Sequence, residues 1–196
     1  MPEPRVVVLA SGTGSLLQAL LDSKIRDHIT AVGSDLVDAP ALHRAREVGV
    51  ATFVVPMMDD RAAWDQTLAE QLGEHGADLV VTAGFMRILG QAVTSAYENK
   101  IINSHPALLP SFPGAHGVRD ALEYGVKVTG CTVHLVDTGV DTGPIIAQQP
   151  MTIESTDTVE TLHERIKEVE RVLLVDVVSR AVREGISVSG RSVTFG

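Results

Sequence analysis

The sequence predicts an α/β protein: one domain, built as a three-layer, doubly wound and mainly parallel sheet. Three observations predict it. Short β-branched apolar runs alternate with segments of helical period, a glycine-rich turn joins the first such run to the first helix, and a long amphipathic stretch near the C-terminus can cover a sheet face.

The elements follow in order. Residues 5–10 (RVVVLA) have the pattern of a strand buried on both faces. The run breaks at Ser11-Gly12-Thr13-Gly14-Ser15 and resumes at helical spacing over 16–21. Strands are expected at 29–33, 51–55 and 79–83, with helices at 39–48 and 62–72. A strand over 97–102 leads into residues 103–117, NSHPALLPSFPGAHG, whose three prolines and two glycines exclude a regular helix or central strand. A loop of that length inside a compact domain is more often functional than idle. Strands at 126–136 and 144–153 precede a long helix over 158–184. Asp157 is expected to cap it, with Glu160 three residues on, and Gly185 to end it. Val159, Leu162, Ile166, Val169, Leu173 and Val177 give that helix one apolar face. The tail, ISVSGRSVTFG, reads as a hairpin.

Composition narrows the class. Over 196 residues, 44% are apolar and 21% charged, ordinary for a globular chain and wrong for a disordered one. The net charge of −9, without a lysine or arginine run, argues against nucleic acid or an anionic membrane as partner. No apolar run has membrane-spanning length, and the opening MPEPRVVVLASG, with no basic flank before a long apolar stretch, is expected to lead straight into structure. A lone cysteine, Cys131, excludes an internal disulfide or a cysteine-rich metal site and fits a reducing cytoplasm. It lies in an apolar strand pattern, as a core residue does.

The turn Gly12-x-Gly14 has three readings. A dinucleotide fingerprint would need a third glycine where Leu17 stands, although Asp35 falls near the place of a ribose-binding acid. A phosphate site would use the N–H groups of Gly14, Ser15 and Leu16 at the helix start. A tight turn would need glycine for backbone geometry alone. A nucleoside-triphosphate loop is excluded, because no Gly-Lys-Ser/Thr follows.

Asn103 and His105 stand at the expected carboxyl end of a strand, the edge where open parallel sheets place ligands. Two residues apart on extended backbone, an amide donor and an imidazole point the same way, and Pro106 keeps His105 extended. Such a pair suits an oxyanion in acyl transfer; the alternative is a turn-forming asparagine and a loop histidine. In Asp137-Thr-Gly-Val-Asp141-Thr-Gly-Pro144 the paired aspartates lack the remaining ligands of a calcium loop, and a plain turn is the simplest alternative. A carboxylate brought beside His105 would raise its pKa and favour imidazolium. His28, His43, His75 and His163 fall in helices or at their ends without metal spacing, whereas His116 belongs to the proline loop. No G-x-S-x-G elbow supports a serine hydrolase.

Taken together, SGTGS at 11–15, AGFMRIL at 83–89, NSHPALLP at 103–110, PGAH at 113–116 and VDTGP at 140–144 resemble the folate-dependent formyltransferase superfamily. Within it the likeness is to the monofunctional bacterial phosphoribosylglycinamide formyltransferases, and it runs from about residue 5 to 184. The resemblance implies transfer of formyl from 10-formyltetrahydrofolate to the amine of glycinamide ribonucleotide in de novo purine synthesis, without metal. It implies Asn103, His105 and Asp141 as the catalytic set. It assigns Gly14, Ser15 and Leu16 to the substrate phosphate, and Lys167 and Glu170 to the ribose side. Arg61, Met86, Arg87, Ile88, Leu89, Asn103, Asp137, Val140 and Asp141 would line the folate pocket. Residues 1–100 become a phosphate- and nucleotide-binding half and 101–196 a folate and catalytic half. The analogy also leans to a cytoplasmic homodimer. The chain departs from the family at Leu16 and Asp35, where asparagine is common, and at Thr142, where glycine is common.

Within the superfamily a formyl-folate hydrolase and a methionyl-tRNA formyltransferase usually carry further domains, and a sugar-amine formyltransferase fits the motif set less well. A nicotinamide oxidoreductase would explain Gly12-x-Gly14 and Asp35 but leaves Asn103, His105 and Asp141 without work. A non-catalytic ligand-binding module is the remaining alternative.

Overall fold

Strand and helix alternate from Val6 to Leu135 in a computed structural model that describes residues 4–196. The first three residues, expected to lead straight into structure, lie outside the described residues. Seven strands form one sheet in the order β3-β2-β1-β4-β5-β6-β7, and two more form a separate hairpin, β8-β9. The chain divides into two compact units, one up to Ile102 and one from Asn103 onward.

The first unit contains β1 (Val6–Leu9), α1 (Ser15–Leu21), β2 (Ile29–Ser34), α2 (Pro40–Glu47), β3 (Ala51–Val54), α3 (Arg61–Glu74), β4 (Leu79–Thr82) and α4 (Gln91–Ala96). β1 pairs in parallel with both β2 and β4, and β2 with β3. Parallel strands inside an α/β layer are covered on both faces, which is why β1 reads as an unbroken aliphatic run and is wholly buried. Trp64 is fully buried on α3, and its indole N–H donates to the Val55 carbonyl at 3.0 Å, so the large ring enters the core without an unpaired donor.

α4 was not expected, and Tyr97, read as the start of a strand, instead closes that helix. The reason is a remote cap. The buried carboxylate of Asp65 on α3 accepts from the backbone N–H groups of Gly90 (2.6 Å), Ala92 (2.7 Å) and Val93 (3.3 Å), the donors that the first turn of a helix leaves unsatisfied. A local pattern cannot display a cap that lies a helix away in sequence.

β5 (Ile101–His105) begins at Ile101 and includes both Asn103 and His105. The second unit continues with α5 (Gly117–Tyr124), β6 (Val128–Leu135), β7 (Ile145–Thr152), α6 (Val159–Glu184), β8 (Ile186–Ser189) and β9 (Ser192–Phe195). β6 and β7 run antiparallel. The hairpin of the tail is as expected. α6 is capped by Thr158, in a capping box with Thr161, rather than by Asp157. Asp157 instead accepts from the Glu154 N–H and pairs with Arg165. Leu162 and Ile166 pack with Val118 and Cys131, whereas Val159, read as part of the apolar face, is exposed.

Candidate active site

Four side chains of the second unit converge. Asn103 and His105 stand on β5, His134 near the end of β6, and Asp141 on the loop between β6 and β7. His105 Nδ1 lies 3.4 Å from Asp141 Oδ2, His134 Nε2 lies 3.5 Å from Asp141 Oδ1, and Asn103 Nδ2 lies 3.1 Å from His134 Nε2. Asp141 therefore bridges two imidazoles, and the backbone N–H of Gly114 donates to it at 2.7 Å. Its φ of 54° is left-handed, a conformation that non-glycine residues seldom hold and that clusters at functional sites.

The protons can be placed from the fixed acceptors. A carbonyl only accepts, so the 2.8 Å contact of His105 Nε2 with the Phe112 carbonyl puts a hydrogen on Nε2. Neutral His105 then turns the lone pair of Nδ1 towards the Asp141 carboxylate, and a proton added at Nδ1 converts that contact into an ion pair. His134 is set the other way round. Nδ1 donates to the Leu135 carbonyl at 2.9 Å, leaving Nε2 for Asn103 and Asp141. Unprotonated, Nε2 accepts from the Asn103 amide N–H; protonated, it donates to the Asp141 carboxylate.

Burial is the largest influence on His105 and disfavours its charged form. The negative charge of Asp141 and the bond to Phe112 oppose it, the neighbouring His134 adds to it, and the net shift is downward. Asp141 does push the pKa up, as the sequence leads one to expect of a neighbouring carboxylate, but burial outweighs it and the net direction is opposite to the one expected. For Asp141 burial also acts first, pushing upward. The hydrogen bonds from His134 and Gly114 and the charges of both histidines overcome it, and the carboxyl is held down to about 2.

His134 was not singled out from the sequence, where it sits inside the apolar pattern of a buried strand. The β6–β7 register shifts between Val133 and His134, and such a bulge re-aims the side chain that follows. An imidazole in a strand buried from Thr129 onward, next to a glycine-rich loop, is the signal that could have found it, since a buried polar ring must have partners.

Other residues assigned from the sequence fall into several roles. Asp137 Oδ1 accepts from Gly139 N–H (3.0 Å) and Thr142 Oγ1 (2.6 Å), closing the loop on itself, and Val140 is exposed at its tip. Glu170 is buried on α6, where Oε1 accepts from Ser104 Oγ at 2.6 Å and burial raises its pKa. Lys167, on the same helix, pairs with Glu164 at 2.7 Å. Cys131 is fully buried, and burial followed by the Glu170 charge pushes its thiol up to about 12.

In the first unit, Gly14 caps α1 at φ 73°, and a Cβ there would meet Ala41 Cα at 2.9 Å. Glycine is thus required by backbone geometry and close packing. Ser15 and Leu16 open α1, with Leu16 buried. Asp35 is not presented to a ribose. Its side chain is fully buried, accepting from Ser11 Oγ and from Arg87 Nε at 2.6 Å. Ser11 Oγ in turn accepts from Met86 N–H at 2.9 Å. Arg61 donates to the Ile88 carbonyl and lies 4.6 Å over the Trp64 ring. Met86 and Ile88 are exposed and Leu89 is buried.

Comparison with known proteins supplies the family. The formyl transferase family matches residues 4–178, and the chain belongs to it. A protein of Mycobacterium tuberculosis called phosphoribosylglycinamide formyltransferase is 53% identical over 98% of this chain and 91% of its own length. A Bacillus subtilis protein of the same name is 39% identical over 90% and 93%. The crystal structure of glycinamide ribonucleotide transformylase 1 from Symbiobacterium toebii superimposes with a TM-score of 0.94 at 41% identity, covering 98% of this chain and 94% of that one.

Proposed function

We propose that the protein moves the formyl group of 10-formyltetrahydrofolate to the amine of glycinamide ribonucleotide, giving N-formylglycinamide ribonucleotide and tetrahydrofolate in de novo purine biosynthesis. The observation that carries this reading is Asp141 held between His105 and His134, with Asn103 beside them, in a chain of the formyl transferase family.

The amine attacks the formyl carbon, and the carbonyl oxygen becomes an oxyanion. Asn103 Nδ2 donates to it, and His105, its Nε2–H held by the Phe112 carbonyl and its Nδ1 facing Asp141, stabilises it by the charge gained on protonation. Free His105 is biased to the neutral form by burial, and the growing negative charge on the substrate favours its taking a proton from solvent, which it gives back as the carbonyl re-forms. Asp141 steadies that imidazolium and accepts the proton leaving the amine. The bond from carbon to the folate nitrogen then breaks, and that nitrogen takes the proton. His134 orients Asn103 and Asp141 without meeting substrate.

Gly14, Ser15 and Leu16 hold the phosphate through backbone N–H groups at the start of α1. Lys167 and Glu170 face the ribose. Arg61, Met86, Arg87, Ile88, Leu89, Asp137 and Val140 bind the folate. Residues 1–100 act as the phosphate-binding half, and 101–196 supply the catalytic groups. The protein works in the cytoplasm, a reading supported by its lone buried cysteine. Among the described residues no helix is long and apolar enough to cross a membrane.

The test is absorbance of the folate product with 10-formyltetrahydrofolate present and glycinamide ribonucleotide added or omitted. Turnover that requires the ribonucleotide is expected. Turnover without it means a formyl-folate hydrolase, and none in either case removes the assignment.

A further inference from the structure

The hairpin of β8 and β9 has no part in the reaction as drawn, yet Arg191 at its turn reaches the loop that carries Asp141. Nη1 and Nη2 each lie 3.1 Å from the Thr142 carbonyl oxygen, and Nη2 lies 3.3 Å from that of Gly143. The hairpin is itself anchored. The Arg180 guanidinium of α6 sits 4.0 Å above the Phe195 ring, and β9 packs on β7 and α6.

The loop has reason to need an outside hold. Asp141 occupies a left-handed conformation that must be over-determined by its surroundings to persist. From inside, the Asp137 carboxylate accepts from Gly139 and Thr142, and at the base the Leu135 N–H donates to the Pro144 carbonyl at 2.9 Å, leaving the Thr142 and Gly143 carbonyls to Arg191. A cavity of about 430 Å³, walled by Leu109, Pro110 and Pro113 with Asp141 and Arg191, lies alongside, so apolar packing does not fix the loop there. At its far end the chain is tight: a Cβ on Gly143 would run into the Leu135 carbonyl oxygen. The stretch between those limits is the one whose carbonyls the Arg191 fork gathers, and a planar guanidinium holds two acceptors in one geometry as lysine cannot.

We propose that Arg191 is a positioning residue for formyl transfer: it grips Thr142 and Gly143 by their carbonyls and so keeps the Asp141 carboxylate against His105 and His134. The proposal rests on the function given above, and its test separates the two. Wild type, Arg191→Gln, Arg191→Lys and Asp141→Asn are compared as full chains for melting temperature, for kcat and KM, and for the His105 titration followed by NMR of its ring protons.

The groups facing Asp141 in that titration are His105, His134 and the Gly114 N–H. The expected result is a kcat lowered about tenfold to a hundredfold in Arg191→Gln, the scale for misplacing a catalytic group by about an ångström. KM for the ribonucleotide stays within twofold. The His105 titration moves downward, towards that of Asp141→Asn, because the supporting negative charge has withdrawn. Arg191→Lys falls between, and it carries the same comparison should Arg191→Gln melt below the assay temperature. A folded Arg191 variant with wild-type kcat and an unmoved His105 titration overturns the proposal. A wild type without ribonucleotide-dependent turnover overturns the function instead, while the NMR comparison still decides whether Arg191 holds Asp141.

Discussion

Asp35 and Asp141 are two largely buried aspartates, one in each unit, with opposite employment. Asp35 is fully enclosed, and its two oxygens accept from Ser11 and from Arg87, whose charge is permanent. Asp141 is set between His105 and His134, two imidazoles within 3.5 Å of its oxygens. Taking a carboxylate out of water is costly in both places, and in both the cost is offset by donors. The difference lies in whether those donors can change. A guanidinium partner makes a fixed joint, here tying the end of β2 to the segment after β4. A pair of imidazole partners makes a site where a proton can move.

The largest expected effect separates the two directly. Asp141→Asn keeps the shape but not the basic oxygen, and turnover should fall about 100- to 10,000-fold, the usual worth of general acid–base catalysis. Near-wild-type kcat in that variant would make Asp141 another fixed joint. Asn103→Ala comes next: one oxyanion donor is worth about 100- to 1000-fold in turnover. Melting should remain cooperative, because β5 keeps its backbone pairing. Retained kcat in Asn103→Ala would remove the asparagine from the reaction and leave the charge of His105 to stabilise the oxyanion.

Asp35→Ala should do the reverse. It leaves Arg87 and the Ser11 hydroxyl without their partner, and with the Arg87 side chain 38% exposed the loss should be about 1–3 kcal/mol. Urea denaturation should show that loss as a lower midpoint at unchanged slope, while kcat at saturating substrates changes only a few-fold. A stable Asp35→Ala protein with collapsed kcat would place the proton chemistry in the wrong unit.

The pH dependence sharpens the same contrast. Asp141 is held at about 2 against 3.8 for the free side chain, so its contribution is present above 3.8 and lost as pH falls through about 2. Linkage makes that contribution roughly 2 kcal/mol. His105 is displaced below 6.5, so the unfolded chain takes up its proton first, and stability declines as pH drops below 6.5. Both run the same way: the urea midpoint should fall from pH 7 to pH 5 and more steeply below 4. Asp141→Asn should flatten the acid limb. An acid limb unchanged in that variant would assign it to other carboxylates.

Much of this was legible in the sequence, for physical reasons that also mark the limits. The parallel strands could be read because burial on both faces forces an aliphatic run. Asn103 and His105 could be read because two residues on extended backbone share a face at the edge where ligands bind. α4 could not, since its cap is Asp65 from the preceding helix, and α5 was hidden among the prolines and glycines before it. His134 escaped because the bulge that aims it breaks the very alternation used to read the strand. The direction of the His105 shift was misjudged because the sequence shows the possible carboxylate but not the burial that outweighs it.

The smallest effect concerns the third acidic neighbourhood, where Glu170 and Cys131 lie in the core of the second unit. With its thiol pushed up to about 12, Cys131 has almost no thiolate at pH 8, and labelling of the native protein by a thiol reagent should be far slower than in urea. Cys131→Ala should leave kcat within a factor of two and cost about 1 kcal/mol of stability. Rapid native labelling would mean that the β6–α6 core opens on the timescale of the assay. His134 stands three residues along the same strand and could not then hold the Asn103 amide in one orientation, so slow labelling at Cys131 is a condition for the fixed donor geometry at the site.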